Sequence, residues 1–125
     1  MVKGLGIDLV ELGRFERALS RHGARIEERL FTPAERAACA GRTDRTQALA
    51  ARFAAKEATL KALGTGWSRG LSFRQVEVER DAAGAPRLKL HDHAARRAAE
   101  LGVRHTHVSL THQPGVAAAV VVLEG

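Results

Sequence analysis

The most strongly helical stretch of the chain is FAAKEATLKA, residues 53–62. We predict a helix over residues 46–63, because the segment is rich in alanine, contains no glycine or proline, and is followed by glycine. At about 100° per residue its large apolar side chains form one stripe: Leu49, Phe53, Leu60 and Leu63. Lys56 lies within that stripe, Glu57 borders it, and Lys61 follows one turn later. A merely amphipathic helix would carry such charges on its far face.

Two interpretations of these charges are open. An i,i+4 ion pair between Glu57 and Lys61 would stabilise the helix without any further role, and this is the commoner meaning of such a pair. Burying a charge is unfavourable unless it is paired or bound to a metal, so the same residues are also candidates for a functional site.

The N-terminal segment alternates with period two and predicts a strand over residues 5–10 that ends near Glu11. Its two faces carry different residues, with Leu5, Ile7 and Leu9 on one and Gly4, Gly6 and Asp8 on the other. Glycine weakens a strand but allows a ligand or another backbone to approach closely. Asp8, framed by glycines, is therefore a candidate cation ligand, and a solvated strand residue is the alternative.

The other elements predict an α+β fold with a largely antiparallel sheet packed against the long central helix. Thr32 and Glu35 have the spacing of a capping box at the start of a short helix that ends near Gly41. The further expected elements are a helix over 12–24, strands from Phe73 to Val78 and over 86–90, a helix over 92–101, and strands over 107–111 and 116–123. We expect one domain over residues 1–125.

The strand near the C-terminus places polar side chains on one face, namely His107, Ser109 and Thr111. Such a row suits a polar ligand, and an exposed sheet face is the alternative. Zinc is disfavoured, because His105 and His107 share a face but no third ligand has a recognisable spacing.

Composition narrows the function further. The chain has 125 residues, 20 Lys and Arg against 14 Asp and Glu, and few aromatic residues. The modest core of such a chain favours oligomerisation, and the basic excess favours anionic partners. The single cysteine, Cys39, excludes an intrachain disulfide, and no apolar run is long enough for a membrane span. The N-terminus lacks a signal-peptide pattern, so we expect a cytoplasmic protein.

Four segments together resemble the holo-acyl-carrier-protein synthases, the small stand-alone class of 4′-phosphopantetheinyl transferases. The matching segments are GLGIDLVEL at 4–12 with Arg14-Phe15, RLFTPAE at 29–35, RFAAKEA at 52–58 with Lys61-Ala62 and Gly64-Thr65-Gly66, and HVSLTH at 107–112. Their order and spacing cover nearly the whole chain, whereas residues 42–47 and 80–104 carry no motif of the family.

The resemblance implies an enzyme that moves the phosphopantetheine arm of coenzyme A onto a serine of an apo acyl carrier protein. The two Mg²⁺-binding acidic positions of the family fall on Asp8 and Glu57, and its catalytic lysine falls on Lys61. The family also implies a homotrimer with the active site between neighbouring subunits, which agrees with the thin core.

Less direct assignments follow from the same resemblance. Arg52 and Lys56 are expected at coenzyme A phosphates, and the expected nucleotide contacts are His107, Ser109 and Thr111. Gly64 and Gly66 flank Thr65. This segment either contacts the ligand or only ends the helix predicted over residues 46–63. The acidic carrier protein is expected to dock on the first helix, on Arg14, Arg17 and Arg21. A basic nucleic-acid-binding module is the alternative function, but the arginines are dispersed and aromatic residues are scarce.

Overall fold

The computed structural model describes residues 1–65 and 70–125. Its elements are β1 (Val2–Glu11), α1 (Leu12–Leu30), α2 (Pro33–Cys39), α3 (Arg45–Leu63), a 3₁₀ turn (Phe73–Gln75), β2 (Val76–Arg80), β3 (Pro86–Leu90), α4 (Asp92–Leu101), β4 (His105–Gln113) and β5 (Val116–Glu124). The predicted α+β class is confirmed. The strand expected from Phe73 begins instead at Val76, because the three residues before it form the 3₁₀ turn.

Every strand pair is antiparallel among the described residues. β5 lies between β1 and β4 in a three-stranded sheet, while β2 and β3 form a separate hairpin. Helix α3 packs across β1 and β5 and is buried on almost every side from Ala48 to Leu63. The predicted apolar stripe was therefore too narrow, because alanines on the other faces of α3 lie against the sheet.

Two helix ends follow the local signals in the sequence. The Thr32 hydroxyl accepts a hydrogen bond from the Glu35 backbone N–H, and the Glu35 carboxylate accepts one from the Thr32 N–H, as in a capping box. Gly64 ends α3 in the left-handed conformation at φ 75°. Helix α1 continues past the predicted end at residue 24 to Leu30, through a break at Gly23.

Strand β1 packs on α3 through its backbone. A Cβ atom built on Gly4 would overlap the carbonyl oxygen of Ala62, and one built on Gly6 would overlap that of Ala58. Of the two roles that the sequence allowed for these glycines, close approach of another backbone is the one the structure has. Asp8, next on the same face of β1, is thereby held beside α3.

The other face of the sheet is apolar and exposed in the single chain. Leu5, Ile7 and Leu9 are 64%, 64% and 67% exposed, and they pair with Val122, Val120 and Ala118 of β5. Exposed apolar surface of this kind marks an interaction site. Among the described helices, none has the length and apolar character that crossing a membrane requires.

Candidate functional site

The three predicted catalytic residues line one cleft between β1, α1 and α3. The cavity has a volume of about 650 Å³, and its polar side chains are Asp8, Glu11, Arg14, Glu57 and Lys61. Its apolar wall includes Leu9, Phe15, Ile26, Leu30 and Phe53. The strand and the helix that the sequence singled out separately thus present their carboxylates to the same space.

Lys61 forms its ion pair across the cleft. The Nζ atom donates to Asp8 Oδ1 at 3.0 Å and to the carbonyl oxygen of Ile7 at 3.0 Å. The Glu57–Lys61 ion pair considered from the sequence is therefore not the one that Lys61 makes within the described part of the chain. Lys61 instead joins α3 to β1 at the candidate site.

Glu57 stands in an unfavourable electrostatic environment. Burial raises the pKa of its carboxyl group, the negative charge of Asp8 raises it further, and Lys61 partly opposes both. A cation bound in the cleft would lower the pKa of Glu57, since an opposite charge nearby favours the ionised form of a carboxyl group.

The donor set fits Mg²⁺ better than a tightly caged metal. No group of three or more His, Cys, Asp and Glu side chains suited to a metal occurs in residues 1–65 and 70–125. Mg²⁺ is commonly bound by one or two carboxylates and completes its shell with waters and substrate phosphate oxygens. Asp8 and Glu57, facing an open cleft, match that pattern.

A second cavity of about 280 Å³ lies on the β4 side of the molecule. Its charged and polar lining comprises Arg42, Asp44, Gln47, Arg80, Ser109 and His112. Of the predicted nucleotide contacts only Ser109 lines it, while His107 is bonded to Glu124 at 3.0 Å and Thr111 is exposed on the outer sheet face. Arg42, Arg80 and His112 were missed, although His112 closes the HVSLTH segment quoted above.

The prediction for Lys56 is wrong. Its ammonium group is fully buried and donates to Glu35 Oε1 at 2.6 Å, to the Phe73 carbonyl oxygen at 3.1 Å, and to the Val76 carbonyl oxygen. Three donors have three protein acceptors, so no donor is left for a coenzyme A phosphate. Lys56 anchors α3 to α2 and β2, and its partner Glu35 had no role in the sequence analysis.

Arg52 is also buried, but its guanidinium group is incompletely bonded. Nη1 donates to the Ala48 carbonyl oxygen at 3.4 Å, and Nε has no hydrogen-bond partner among the described residues. Arg52 lines a cavity of about 400 Å³ whose charged lining also comprises Arg42, Arg80, Lys89, Glu77 and Glu79. Arg42 and Arg80 border the β4-side cavity as well. Because no ion pair joins Arg52 to a carboxylate within residues 1–65 and 70–125, its buried charge favours an anionic ligand at this place.

The remaining predicted residues are at the surface or outside the described part. Gly64 is the C-cap of α3, Thr65 is half-buried, and Gly66 lies outside the described residues, so their contact with a ligand stays a prediction. The basic residues of α1, Arg14, Arg17 and Arg21, are exposed and together line a shallow cavity of about 260 Å³.

Comparison with protein families supplies the context for this geometry. Residues 4–121 match the family model described as the 4′-phosphopantetheinyl transferase superfamily. A protein of Solidesulfovibrio magneticus named holo-[acyl-carrier-protein] synthase is 54% identical to the chain, over all of both sequences. One of the same name from Geobacter sulfurreducens is 48% identical, over 99% of this chain and 98% of that protein.

Solved structures give the same picture. Holo-[acyl-carrier-protein] synthase from Neisseria meningitidis superposes with a TM-score of 0.92 at 33% identity, over all of both chains. The Helicobacter pylori enzyme, solved in complex with coenzyme A, has a TM-score of 0.84 at 31% identity, over 96% of this chain and 99% of that one. The shared architecture thus extends across the whole molecule.

Proposed function

Because the chain belongs to the 4′-phosphopantetheinyl transferase superfamily, we propose that it is a holo-acyl-carrier-protein synthase. It transfers the 4′-phosphopantetheine arm of coenzyme A to a serine of an apo acyl carrier protein and releases adenosine 3′,5′-bisphosphate. The coenzyme A bound to the Helicobacter pylori structure supports the donor substrate. The observation that carries the proposal is the meeting of Asp8, Glu57 and Lys61 in one cleft.

The cleft supplies the groups that phosphoryl transfer needs. Asp8 and Glu57 would hold Mg²⁺, which neutralises charge on the diphosphate of coenzyme A. The serine hydroxyl oxygen attacks the β-phosphorus, the bond from that phosphorus to the bridging oxygen breaks, and a carboxylate of the cleft accepts the serine proton. Lys61 stabilises the negative charge that develops on the leaving phosphate. Positioning and charge, rather than a covalent intermediate, account for the rate.

The nucleotide end of coenzyme A is assigned to the cavity on the β4 side and to the neighbouring cavity that Arg52 lines. Arg52 supports this assignment most directly, because its buried guanidinium group is incompletely bonded. Arg42 and Arg80 border both cavities there, and a phosphate would compete with Asp44 for the guanidinium group of Arg42, which Asp44 binds at 2.7 and 2.8 Å. Ser109 and His112 provide hydrogen-bonding groups beside them.

We propose that three copies of the chain assemble through the outer sheet face. Burial of Leu5, Ile7 and Leu9 would remove a large apolar surface from water. The carboxylate cleft borders β1 and the smaller basic cavity borders β4, at opposite edges of the same sheet. Assembly would bring the cavity of one copy beside the cleft of the next, so that one coenzyme A molecule could use both.

The acidic carrier protein is assigned to α1. Arg14 lines both the carboxylate cleft and the basic surface that continues along the helix to Arg21. Docking there would place the acceptor serine near the cleft, and opposite charges would steer the approach. Charge reversal in Arg14→Glu is expected to raise the KM for carrier protein and to leave the KM for coenzyme A unchanged.

Mass spectrometry tests the reaction. The chain is incubated with apo acyl carrier protein, coenzyme A and MgCl₂, and the carrier protein is expected to gain about 340 Da, the mass of the arm. EDTA and the Asp8→Asn variant are the controls, and each abolishes the gain. An unmodified carrier protein with the wild-type chain, at saturating coenzyme A and MgCl₂, would refute the proposed activity.

A further inference from the structure

Lys61 occupies the place where a cation would be expected. Its side chain is 55% exposed, yet its ammonium group is fixed against Asp8 Oδ1 and the Ile7 carbonyl oxygen, at 3.0 Å from each. Asp8 is only 17% exposed in its side chain, so the carboxylate has little water to replace this partner. A carboxylate oxygen and a backbone carbonyl oxygen are also ligands that a hard divalent cation accepts.

The charge of Lys61 acts on both carboxylates of the cleft. It pairs directly with Asp8, and it opposes the rise in the pKa of Glu57 that burial and Asp8 cause. In the free protein, the Lys61 ammonium group therefore offsets part of the negative charge of Asp8 and Glu57. Because most of the Lys61 side chain is in water, the ammonium group can leave Asp8 with little rearrangement of the packed interior.

We propose that Lys61 is an exchangeable stand-in for the divalent cation, holding Asp8 in the free protein and releasing it when the cation binds. This inference rests on the proposed function, which assigns Asp8 and Glu57 to Mg²⁺. Once displaced, the Lys61 ammonium group is free to pair with the phosphate that becomes the leaving group. One side chain thus neutralises Asp8 before the cation arrives and stabilises charge during the reaction.

The proposal predicts an effect of opposite sign to that of a simple positioning role. A lysine that only orients Asp8 would improve metal binding, and its removal would weaken that binding. A lysine that competes for Asp8 must be displaced, so its removal strengthens metal binding while turnover falls.

The experiment is a titration of the ¹⁵N-labelled full chain with MgCl₂ alone, at low ionic strength, followed by NMR at the amides of residues 8 and 57. Lys61→Met is compared with Arg14→Met, which removes the same charge from the same cleft. The Arg14 side chain makes no hydrogen bond or ion pair with another residue in the described part of the chain, so this variant controls for the loss of charge alone. Lys61→Met is expected to bind Mg²⁺ about tenfold more tightly than wild type, and Arg14→Met about twofold.

The outcomes separate this inference from the proposed function. Equal or weaker Mg²⁺ binding in Lys61→Met, or the same gain in both variants, overturns the stand-in role while leaving the metal site intact. If neither wild type nor Lys61→Met shows Mg²⁺-dependent shifts at residues 8 and 57, the metal assignment and the inference both fail. If Lys61→Met binds and wild type binds weakly or not at all, the stand-in role is supported.

Discussion

Helix α3 carries two lysine–carboxylate pairs that lie five residues apart and behave differently. Lys56 and Glu35 are fully buried at 2.6 Å, whereas Lys61 and Asp8 meet at 3.0 Å with Lys61 largely in water. In the buried pair the protein satisfies every donor of the ammonium group. In the cleft, Lys61 and Asp8 face open space in which another ligand can bind. A lysine–carboxylate pair therefore has all its ammonium donors satisfied by protein in the interior, whereas in the cleft the pair is partly open to water.

The buried pair is costly to form and more costly to break. Burial lowers the pKa of Lys56, and the adjacent Glu35 carboxylate opposes that effect. Glu35 also accepts hydrogen bonds from the backbone N–H groups of Thr32 and Val78, so it joins α2, α3 and β2. Removing one partner leaves an uncompensated charge in the interior.

The largest expected effect is on stability, in the Lys56→Met variant. It leaves Glu35 buried without its cation, and the free energy of unfolding is expected to fall by about 3–5 kcal/mol. Urea denaturation monitored by circular dichroism measures it. The double variant Lys56→Met/Glu35→Gln should recover part of the loss, because the charge left behind is removed. A single variant as stable as wild type would show that the pair contributes nothing.

The second largest effect is expected in Glu57→Gln. Unlike a variant of the buried pair, it should lower the activity and raise the stability. Transfer to the carrier protein is expected to fall about 10²–10³-fold, as for loss of a group that stabilises transition-state charge. Since the pKa of Glu57 is raised in the folded state, its ionised form disfavours folding near pH 7. Metal-free Glu57→Gln should therefore melt about 1–3 °C higher than wild type.

The control for that variant is Glu28→Gln, at an exposed position of α1 outside the cleft and the cavities described above. It should change neither the transfer rate nor the melting temperature. If Glu57→Gln lost several degrees of melting temperature, Glu57 would belong with the structural pair rather than with the cleft.

The smallest expected effect is on the pH dependence of stability, in a variant of Glu77. A hydrogen bond from the Thr32 hydroxyl at 2.6 Å, together with His91, lowers the pKa of Glu77. A lowered carboxyl pKa contributes stability above its unfolded value of 4.5, and that contribution disappears as pH falls through the folded value. Glu77→Gln should therefore cost about 1 kcal/mol at pH 7 and nothing in strong acid. Urea denaturation from pH 7 to 3, with Glu79→Gln as control, tests this; a difference that does not change with pH would contradict it.

Local signals explain why so much of the fold could be predicted. The capping box at Thr32 and the glycines at 64 and 102 fix helix ends through hydrogen bonds within a few residues. The predicted end of α1 at residue 24 was too early. Glycine is typical of a helix end, but here the helix is interrupted at Gly23 and then continues to Leu30. The all-round burial of α3 could not be predicted, because alanine fits both a core and a surface.

The residues of the candidate site could be predicted only where the local sequence pattern was unusual. Asp8, Glu57 and Lys61 stood out as charges in apolar or glycine-rich surroundings. Lys56 met the same criterion, but its partner Glu35 is 21 residues away and comes close only through the tertiary fold. Arg42 and Arg80 belong to stretches without any family motif, and the β4-side cavity brings them together.

The contact of β1 with α3 has a consequence for how tolerant this protein is to redesign. The spacing between the strand that bears Asp8 and the helix that bears Glu57 is set by main chain against main chain, at Gly4 and Gly6. Laboratory evolution for heat tolerance must therefore keep both glycines, because any side chain there would push the strand away from α3 at Ala58 and Ala62.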